Sequence, residues 1–313
     1  MSTNYGIGSR NMDVAGKFIV DRKFHGGYQS KYDIAQRWGY FCKWAKREHS
    51  VKKMENVTFD LVVLYGKQLQ SQLDRGDRVS SSAPKNYVSA VNTVMRLATN
   101  ETWKAVRPDK DCGIEKRRYI STESKAMSSA THQTAQRKVG ERIACLMDLQ
   151  RAFGLRFKES CLLSPKRALK EAKKHGHITL SAGTKGGKKR TVPCSEPGLI
   201  ALERAVIVQD GRSMVPKGML YGDFRKECYQ QARLAEISFH PERHAFAQNR
   251  YTELTAAPSP IHAGWGRKER IVRLSEFLSI TLDEATQIDH DARLQIAVEL
   301  GHNRVGISDA YLG

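Results

Sequence analysis

The sequence predicts a mainly α protein with one small antiparallel β-sheet, organised in two domains. Apolar residues recur at helical spacing through most of the chain, whereas one segment alternates apolar and polar residues on both sides of Gly186-Gly187. A basic stretch that is poor in apolar repeats separates two groups of helices. With 313 residues, 40% of them apolar, the chain is long enough to fill two cores.

The first domain is expected over residues 26–105 as a helical unit, preceded by an N-terminal arm over residues 1–25 that shows little periodicity. Its second helix is predicted to begin at the cap residue Thr58, and its third near Ser82 and Pro84. The first helix is indicated by a row of apolar residues at helical spacing: Ile34, Trp38, Phe41 and Ala45.

Residues 106–135 are rich in Lys, Arg, Ser and Thr and are interpreted as a basic linker. Its charges are equally compatible with a solvated connection and with a segment that crosses a DNA backbone. The second domain follows over residues 136–313. It begins with a helix that Gly154 is placed to end, continues with the hairpin, and returns to helices.

The charge of the chain indicates a polyanionic partner. Fifty-two Lys and Arg against 33 Asp and Glu give a formal net charge of +19. Nucleic acid is the favoured partner, because binding of protein cations releases counterions from its phosphates. An anionic membrane surface is the rival, but a terminal polybasic cluster or a strongly amphipathic anchor is lacking. A basic housekeeping or ribosomal protein is equally compatible with the charge alone.

The cysteines and the N-terminal sequence favour an intracellular protein with reduced thiols. The start of the chain lacks the apolar region of a secretory signal, and an apolar run long enough for a membrane span is absent. The six cysteines are widely spaced without a CxxC pair, so neither a disulfide framework nor a zinc cluster is predicted: Cys42, Cys112, Cys145, Cys161, Cys194 and Cys228.

Four separated stretches contain residues that could carry out chemistry. They are GLRFKE at 154–159, GTKGGKKR at 183–190, HPERH at 240–244, and the final LGHNRVGISDAYLG with His302 and Tyr311. Each is weak alone, because a surface arginine, solvated hairpin lysines, a capped helix start and a core tyrosine would look the same.

In this order and at these spacings, the four stretches resemble the catalytic domain of the tyrosine recombinases, or phage-type integrases. The resemblance covers about 175 residues strongly, whereas the helical unit before them is less specifically similar to the core-binding, SAM-like domain of that family. Six catalytic positions of the family fall on residues of the types that its motif requires: Arg156, Lys185, His240, Arg243, His302 and Tyr311.

The resemblance and the chemistry of phosphodiester cleavage give each residue a role. Tyr311 is the expected nucleophile, and the planar guanidiniums of Arg156 and Arg243 suit the non-bridging phosphate oxygens. Lys185 is expected to protonate the leaving 5′ oxygen, with Lys188 as the alternative. His240 is expected to accept the proton of the tyrosine, and His302 to contact a phosphate oxygen. Glu159 and His244 are expected to support the site. The residues expected to bind the DNA backbone are Lys188, Lys189 and Arg190.

The resemblance implies a two-domain, C-shaped clamp on double-stranded DNA that recombines attachment sites as a homo-tetramer. Strands are cut and rejoined through a 3′-phosphotyrosine intermediate and a Holliday junction, without metal or cofactor. DNA-bending or directionality factors are possible further partners. The integrase of a prophage or integrative mobile element, acting on the nucleoid in a bacterial cytoplasm, is the narrower expectation.

Two departures from the family pattern are apparent. The chain has an insertion at about 256–290, whose Arg267, Lys268 and Arg270 could contact DNA or a partner or could simply be solvated. Only Leu312 and Gly313 follow Tyr311, where many relatives extend a tail into a neighbouring subunit. The tyrosine is accordingly expected on a mobile segment that neighbouring subunits can position or withhold.

Two other functions compete with a recombinase. A DNA-binding protein derived from an integrase could act without cleavage, but its decay should have removed at least one of the six catalytic positions. A type IB topoisomerase would use almost the same chemistry, but the integrase-like N-terminal helices and the lack of long wrapping domains disfavour it.

Overall fold

A computed structural model describes residues 3–77, 82–115, 120–302 and 304–313. The chain divides into two compact units, Met1–Arg118 and Tyr119–Gly313, each with its own hydrophobic core.

All regular secondary structure in the described residues of the first unit is helical, and its core is built around Trp38, Phe41 and Val62. As predicted, Thr58 caps a helix, which is the third α-helix of the structure. Its hydroxyl accepts a hydrogen bond from the amide of Leu61 at 3.2 Å. The helices are α1 (Met12–Lys23), α2 (Tyr28–His49), α3 (Phe59–Asp74), α4 (Ser82–Ala98) and α5 (Pro108–Asp111).

The prediction of an N-terminal arm over residues 1–25 is wrong, because α1 belongs to the first core. Met12 and Ile19 are buried there, and the indole of Trp38 donates a hydrogen bond to the carbonyl of Met12 at 3.1 Å. The helix presents Gly16 to Trp38 so closely that a Cβ atom would lie 1.9 Å from the indole nitrogen. A face that packs through such small residues gives little hydrophobic periodicity in sequence.

The second unit combines ten helices with one hairpin among its described residues. Strands β1 (His177–Leu180) and β2 (Arg190–Pro193) pair antiparallel, which confirms the predicted sheet around Gly186-Gly187. The helices are α6 (Ser129–Lys138), α7 (Glu141–Phe153), α8 (Phe157–Leu162), α9 (Pro165–His175), α10 (Glu196–Val208), α11 (Tyr221–Leu234), α12 (His240–Thr255), α13 (Arg270–Leu278), α14 (Leu282–Glu299) and α15 (Asp309–Leu312).

The predicted linker over 106–135 is largely part of the two cores. Val106 and Ile114 are buried in the first core, and Met127 and Ala135 in the second. These few apolar residues are too widely spaced to produce a periodic pattern, yet each fills a site between helices. The basic run at 116–118 lies outside the described residues.

The insertion at about 256–290 folds as a small cluster of its own. Ala257, Leu274 and Ala285 are buried together, and partly buried Trp265 and Ile271 pack against them. Helix α13 and the first turns of α14 make up most of this element. Among the described residues, every helix is too short or too polar to cross a lipid bilayer.

Candidate active site

Most of the predicted catalytic residues meet where three helix boundaries of the second unit come together. Arg156 caps the N-terminus of α8, and His240 is the first residue of α12. His302 lies three residues after the end of α14 at Glu299, and Tyr311 lies in the short helix α15. Residues that are far apart in the chain are therefore collected at one place, at or near the ends of helices.

Arg243 is the centre of this cluster and is only 1% exposed. Its Nε donates a hydrogen bond to the hydroxyl of Tyr311 at 3.2 Å, and its Nη2 lies 3.2 Å from Nε2 of His302. The same guanidinium donates to the carbonyl of Leu300 at 2.6 Å and to the carbonyl of Gly154. The arginine is thus fixed in orientation with the phenol oxygen already bound to it.

Two of the sequence motifs supply main-chain oxygens. The carbonyl of Leu300 accepts from Arg243 and also, at 3.4 Å, from Nη2 of Arg156. Gly154 ends α7 with a φ of +59°, and a Cβ there would lie 2.5 Å from the ring of Phe246. Glycine is therefore required at 154 both by its backbone conformation and by the packed ring.

Glu159 holds two arginines beside the site. Its carboxylate accepts from the amide of Arg156 at 2.7 Å and from the Arg156 guanidinium at 2.8 Å. Arg190 donates to both carboxylate oxygens, at 2.8 and 2.7 Å. Burial alone would raise the pKa of Glu159, but its bonds to Arg190 and Arg156 outweigh burial and lower it to about 2. The supporting role predicted for Glu159 therefore has a clear geometric basis.

Arg190 corrects one prediction. It was expected to contact the phosphate backbone together with its neighbours, but its side chain is 7% exposed and paired with Glu159, and its Nε donates to the carbonyl of Glu299 at 2.7 Å. As the first residue of β2, Arg190 points inward, because alternate residues of a strand face opposite sides. Lys188 and Lys189 are exposed on the turn before it.

Three imidazoles surround the phenol ring of Tyr311, which is 6% exposed. The ring centroid of His244 lies 4.6 Å from that of Tyr311, compared with 6.1 Å for His240 and 6.0 Å for His302. The rings of His240 and His244 also meet edge to face at 4.9 Å. His244, expected only to support the site, is the imidazole that packs most closely against the tyrosine.

The imidazoles are held in their neutral form. Burial and the charge of Arg243 lower the pKa of His240, and burial and His240 lower the pKa of His244 to about 4. Burial also lowers the pKa of His302 to about 4, with further contributions from Arg243 and Arg156. Burial lowers even the pKa of Arg243, to about 10, so that the guanidinium stays charged at neutral pH.

Lys185 stands apart from the other predicted catalytic residues. It is exposed, at the start of the 3-10 turn Lys185–Gly187 that joins the two strands. Its charge is nevertheless close enough to contribute, after the effects of burial and three arginines, to the low pKa of His302. The structure therefore brings five of the six predicted side chains together and leaves Lys185 at the rim.

A family model described as Integrase matches residues 113–249, a range that includes Arg156, Lys185, His240 and Arg243. The resemblance to the phage-type integrases is confirmed. Residues 250–313, with His302 and Tyr311, lie beyond the matched range. A search of curated protein sequences gave no match.

Solved integrase structures share this fold. A lambda integrase dimer bound to a core site matches with a TM-score of 0.58 at 13% identity, covering 96% of this chain and 93% of that one. The Tn1549 transposon integrase in complex with transposon right-end DNA matches with a TM-score of 0.59 at 10% identity, covering 99% and 95%. The likeness in fold therefore extends over both units.

A second polar network supports the start of α12 in this integrase fold. Nδ1 of His132 lies 2.7 Å from Glu242, its Nε2 lies 3.0 Å from Asp148, and Arg151 donates to Glu242 at 2.9 Å. Burial alone would lower the pKa of His132, but the bonds to Asp148 and Glu242 raise it to about 9. Glu242 is thereby fixed between two residues of the integrase motif, His240 and Arg243.

Sequence reasoning missed the residues that hold the backbone of Tyr311. Gln248 donates from Nε2 to the carbonyl of Tyr311 at 3.2 Å and is paired with the hydroxyl of Ser124. The amide of Ser121 donates to the carbonyl of Asp309 at 3.2 Å. Gln248 lies on the buried face of α12, one turn after His244, which is a signal that the integrase motif alone does not include.

The neutral imidazoles of the candidate site predict a pH-dependent stability. Their folded pKa values lie below the unfolded value of about 6.5, so the unfolded chain binds more protons as the pH falls. The stability that they contribute is fully present above about pH 6.5 and is lost as the pH falls toward 4. The slope that His244 adds over this window is at most about 1.4 kcal/mol per pH unit. Replacing His244 with Gln is expected to flatten the wild-type profile by about this much.

Urea unfolding between pH 6.5 and 5 measures this slope. His132 does not affect the slope in this range. Because its pKa is raised, the stability that it contributes is fully present below about pH 6.5 and is lost only as the pH rises through about 9. Glu159 changes the stability only at pH values below this range, since its pKa is lowered to about 2. A His244→Gln protein with the wild-type slope would show that this imidazole is not held neutral by the fold.

Proposed function

We propose that this protein is a site-specific DNA recombinase that cuts and rejoins DNA strands with Tyr311 as the nucleophile. The observation that carries the proposal is the 3.2 Å hydrogen bond from Arg243 to the hydroxyl of Tyr311. Arg156 and His302 lie around the same guanidinium, so one chain holds a nucleophile together with groups suited to a phosphate.

In the proposed reaction, the phenol oxygen of Tyr311 attacks the scissile phosphorus. The new bond is a 3′-phosphotyrosine, and the bond that breaks joins phosphorus to the 5′ oxygen of the leaving strand. Arg156 and Arg243 bind the non-bridging oxygens, and His302 donates a further hydrogen bond. Because one phosphodiester replaces another, rejoining requires no high-energy cofactor.

Two protons move in this step. His240 accepts the proton of the tyrosine, for which its lowered pKa keeps it unprotonated at neutral pH. Lys185 donates a proton to the departing 5′ oxygen, for which an exposed position on the turn between the strands allows approach to bound DNA. His244 supports the reaction by packing against the phenol ring.

Double-stranded DNA is the proposed partner of both units. The net charge of +19 favours a polyanion, and the exposed Lys188 and Lys189 are suited to phosphate contacts. A lambda integrase tetramer bound to a Holliday junction shares the fold with a TM-score of 0.52 at 14% identity, covering 76% of this chain and 68% of that one. We accordingly propose strand exchange in a homo-tetramer, with the unit Met1–Arg118 as the core-binding domain and the unit Tyr119–Gly313 as the catalytic domain.

Covalent trapping tests the proposal directly. The full chain is incubated with nicked duplexes tiled across the DNA that borders its gene, so that a short strand released at the nick cannot rejoin. A complex that survives denaturing electrophoresis, with the DNA remnant mapped to Tyr311 by mass spectrometry, is the expected result. EDTA should leave the yield unchanged. If no duplex is ever trapped, a DNA-binding protein without cleavage activity is the better description.

A second measurement distinguishes recombination from relaxation. Two trapped sites are placed on one supercoiled plasmid, and the products are separated after digestion. Exchange between the sites is expected from a recombinase, whereas relaxed plasmid with parental restriction fragments would indicate a type IB topoisomerase.

The role of Lys185 predicts a selective rescue. Lys185→Ala should slow covalent complex formation by about 10²-fold to 10⁴-fold on ordinary DNA, the range that one general acid contributes. A DNA substrate with a bridging sulfur atom in place of the 5′ oxygen should restore the rate of this variant, because a thiolate leaves without being protonated. Lys170→Ala is the matched control, because Lys170 is an exposed lysine on α9 with no assigned role in the site. If Lys188→Ala instead slows the reaction and the bridging sulfur restores its rate, while Lys185→Ala reacts at the wild-type rate, Lys188 is the general acid.

A further inference from the structure

The segment Ser308–Gly313, here called the tail segment, is packed into the second unit of its own chain. Leu312 is fully buried and Tyr311 nearly so. The carbonyl of Leu312 accepts a hydrogen bond at 2.9 Å from the amide of Ile261, which belongs to the insertion. The expectation that Tyr311 lies on a mobile segment is therefore wrong for this structure.

Arg293 is the side chain that makes the most bonds to the tail segment. It lies on α14, and it is 1% exposed. Its Nη1 donates to the carboxylate of Asp309 at 3.0 Å, and its Nη2 donates to the main-chain oxygen of Gly313 at 3.0 Å. Its Nε bonds both oxygens of Asp289 at 2.9 Å. One guanidinium thus holds a residue on each side of Tyr311.

The insertion completes this arrangement from the other side. Arg270 pairs with Asp289 at 3.3 Å, and Arg267 approaches Asp309 at 3.7 Å. These two arginines were predicted to contact DNA, to contact a partner or to be solvated. Both face carboxylates of their own chain, and Arg267 is also largely exposed to solvent. Asp289 is further fixed by the hydroxyl of Tyr251 at 2.7 Å. The tail segment is consequently bound to a rigid network of charges.

We propose that Arg293 is a positioning residue that holds the tail segment, so that Tyr311 is presented to Arg243 of the same chain. This inference rests on the proposed function, since it assigns a role in placing the nucleophile. Arg293 does not touch the phenol; it acts through Asp309 and Gly313, while the insertion supplies Ile261 as a second attachment. The insertion is accordingly part of the nucleophile's support.

Two substitutions separate positioning from folding. Arg293→Met keeps much of the side-chain volume but removes a buried charged partner from both Asp289 and Asp309, a change large enough to unfold the domain. Asp309→Asn removes only the charge on the tail side and leaves the pair of Arg293 with Asp289 intact. Arg273→Met is the matched control, because Arg273 forms an exposed ion pair with Glu276 on α13.

Hydrogen exchange of the DNA-free chain gives the first readout. In Asp309→Asn, the amides of 308–313 should exchange about tenfold faster than in wild type, which corresponds to about 1.4 kcal/mol, at the low end for a charged hydrogen bond. The amides inside α12 should stay within about twofold of wild type, which shows that the domain is folded. If the tail segment also exchanges within twofold of wild type, the proposal is overturned, whether or not Arg293→Met folds.

The second readout uses the nicked duplex that traps the wild-type chain. At saturating DNA, Asp309→Asn is expected to form covalent complex about tenfold more slowly, with its DNA dissociation constant unchanged, because positioning affects the step after binding. A wild-type rate for Asp309→Asn, or a loss confined to DNA affinity, contradicts a positioning role. Arg273→Met should match wild type in both measurements.

A mixing experiment tests whether the nucleophile acts in its own chain. Arg243→Gln retains the tyrosine and Tyr311→Phe retains the arginine, so a mixture forms covalent complex only if one chain supplies its tyrosine to another. No complex above the level of the separate variants is expected. Clear complementation would overturn the proposal. If wild type itself is never trapped, the proposed recombinase function fails, whereas the exchange measurement still decides whether Arg293 holds the tail segment.

Discussion

Tyr311→Phe is expected to abolish covalent complex formation while leaving the protein folded and able to bind DNA. The substitution removes the attacking oxygen and nothing else, and the ring keeps its packing against His244. The single hydrogen bond lost from Arg243 should change the free energy of unfolding by about 1 kcal/mol. Denaturing electrophoresis after incubation with the trapping duplex measures the activity, and urea unfolding measures the stability.

Tyr229→Phe is the control for this result. Its side chain is half exposed on α11, so losing its hydroxyl should affect neither stability nor the covalent complex. Residual trapping by Tyr311→Phe at a tenth or more of the wild-type yield would show that another residue attacks, and the proposed mechanism would have to be abandoned.

Arg243→Lys should be nearly as damaging to activity and far more damaging to stability. The guanidinium simultaneously bonds the carbonyls of Gly154 and Leu300 and the hydroxyl of Tyr311, whereas an ammonium at the end of a flexible chain cannot match three fixed acceptors. We expect a loss of about 2–4 kcal/mol in the free energy of unfolding. The rate of complex formation should fall by at least about 10²-fold.

Arg250→Lys, on the same helix, separates this effect from arginine replacement in general. Arg250 pairs with Glu253 and Glu299, two carboxylates that an ammonium can also approach. Its substitution should cost at most about 1 kcal/mol and leave covalent trapping at the wild-type rate. Equal losses in both variants would mean that Arg243 acts only through the stability of α12.

The sequence was sufficient to predict the parts of the site that are fixed by motif chemistry. Gly154 ends its helix because its backbone and the ring of Phe246 exclude any side chain, and a glycine in that place is visible in the sequence. His240 and Arg243, which the motif chemistry predicted to belong to one site, lie together on the first turn of α12. The hairpin around residues 186–187 was likewise marked by its glycines and its alternation.

What the sequence could not show is how buried charges pair across long separations. Arg190 looks like one more cation in a basic turn, and only the fold shows that Glu159 neutralises it. Arg293 sits in a helix with an ordinary pattern: its i,i+4 neighbour Asp289 is a partner that the sequence suggests, but its pairing with Asp309 is identified only when α14 and α15 are assembled. Pairs between residues that are distant in the chain produce no periodic pattern in the sequence, because ion pairing depends on distance in space.

Weak periodicity also concealed structure at both ends of the first unit. Helix α1 packs through small residues, so its amphipathic character is faint although Met12 and Ile19 are buried. After α4, Val106 and Ile114 reach the core from irregular backbone. In both regions a few contacts with a preformed core determine the fold, and a local pattern is not required.

The carbonyl of Leu300 has a consequence for how this site tolerates genetic change. Both arginines of the cluster rest on that one oxygen, and a main-chain oxygen is present whichever amino acid the codon specifies. Missense mutations at this codon can therefore alter packing but cannot delete the acceptor. Loss of the acceptor requires a change in the length of the main chain, such as a one-residue insertion or deletion between α14 and His302, which would turn the oxygen away from both guanidiniums.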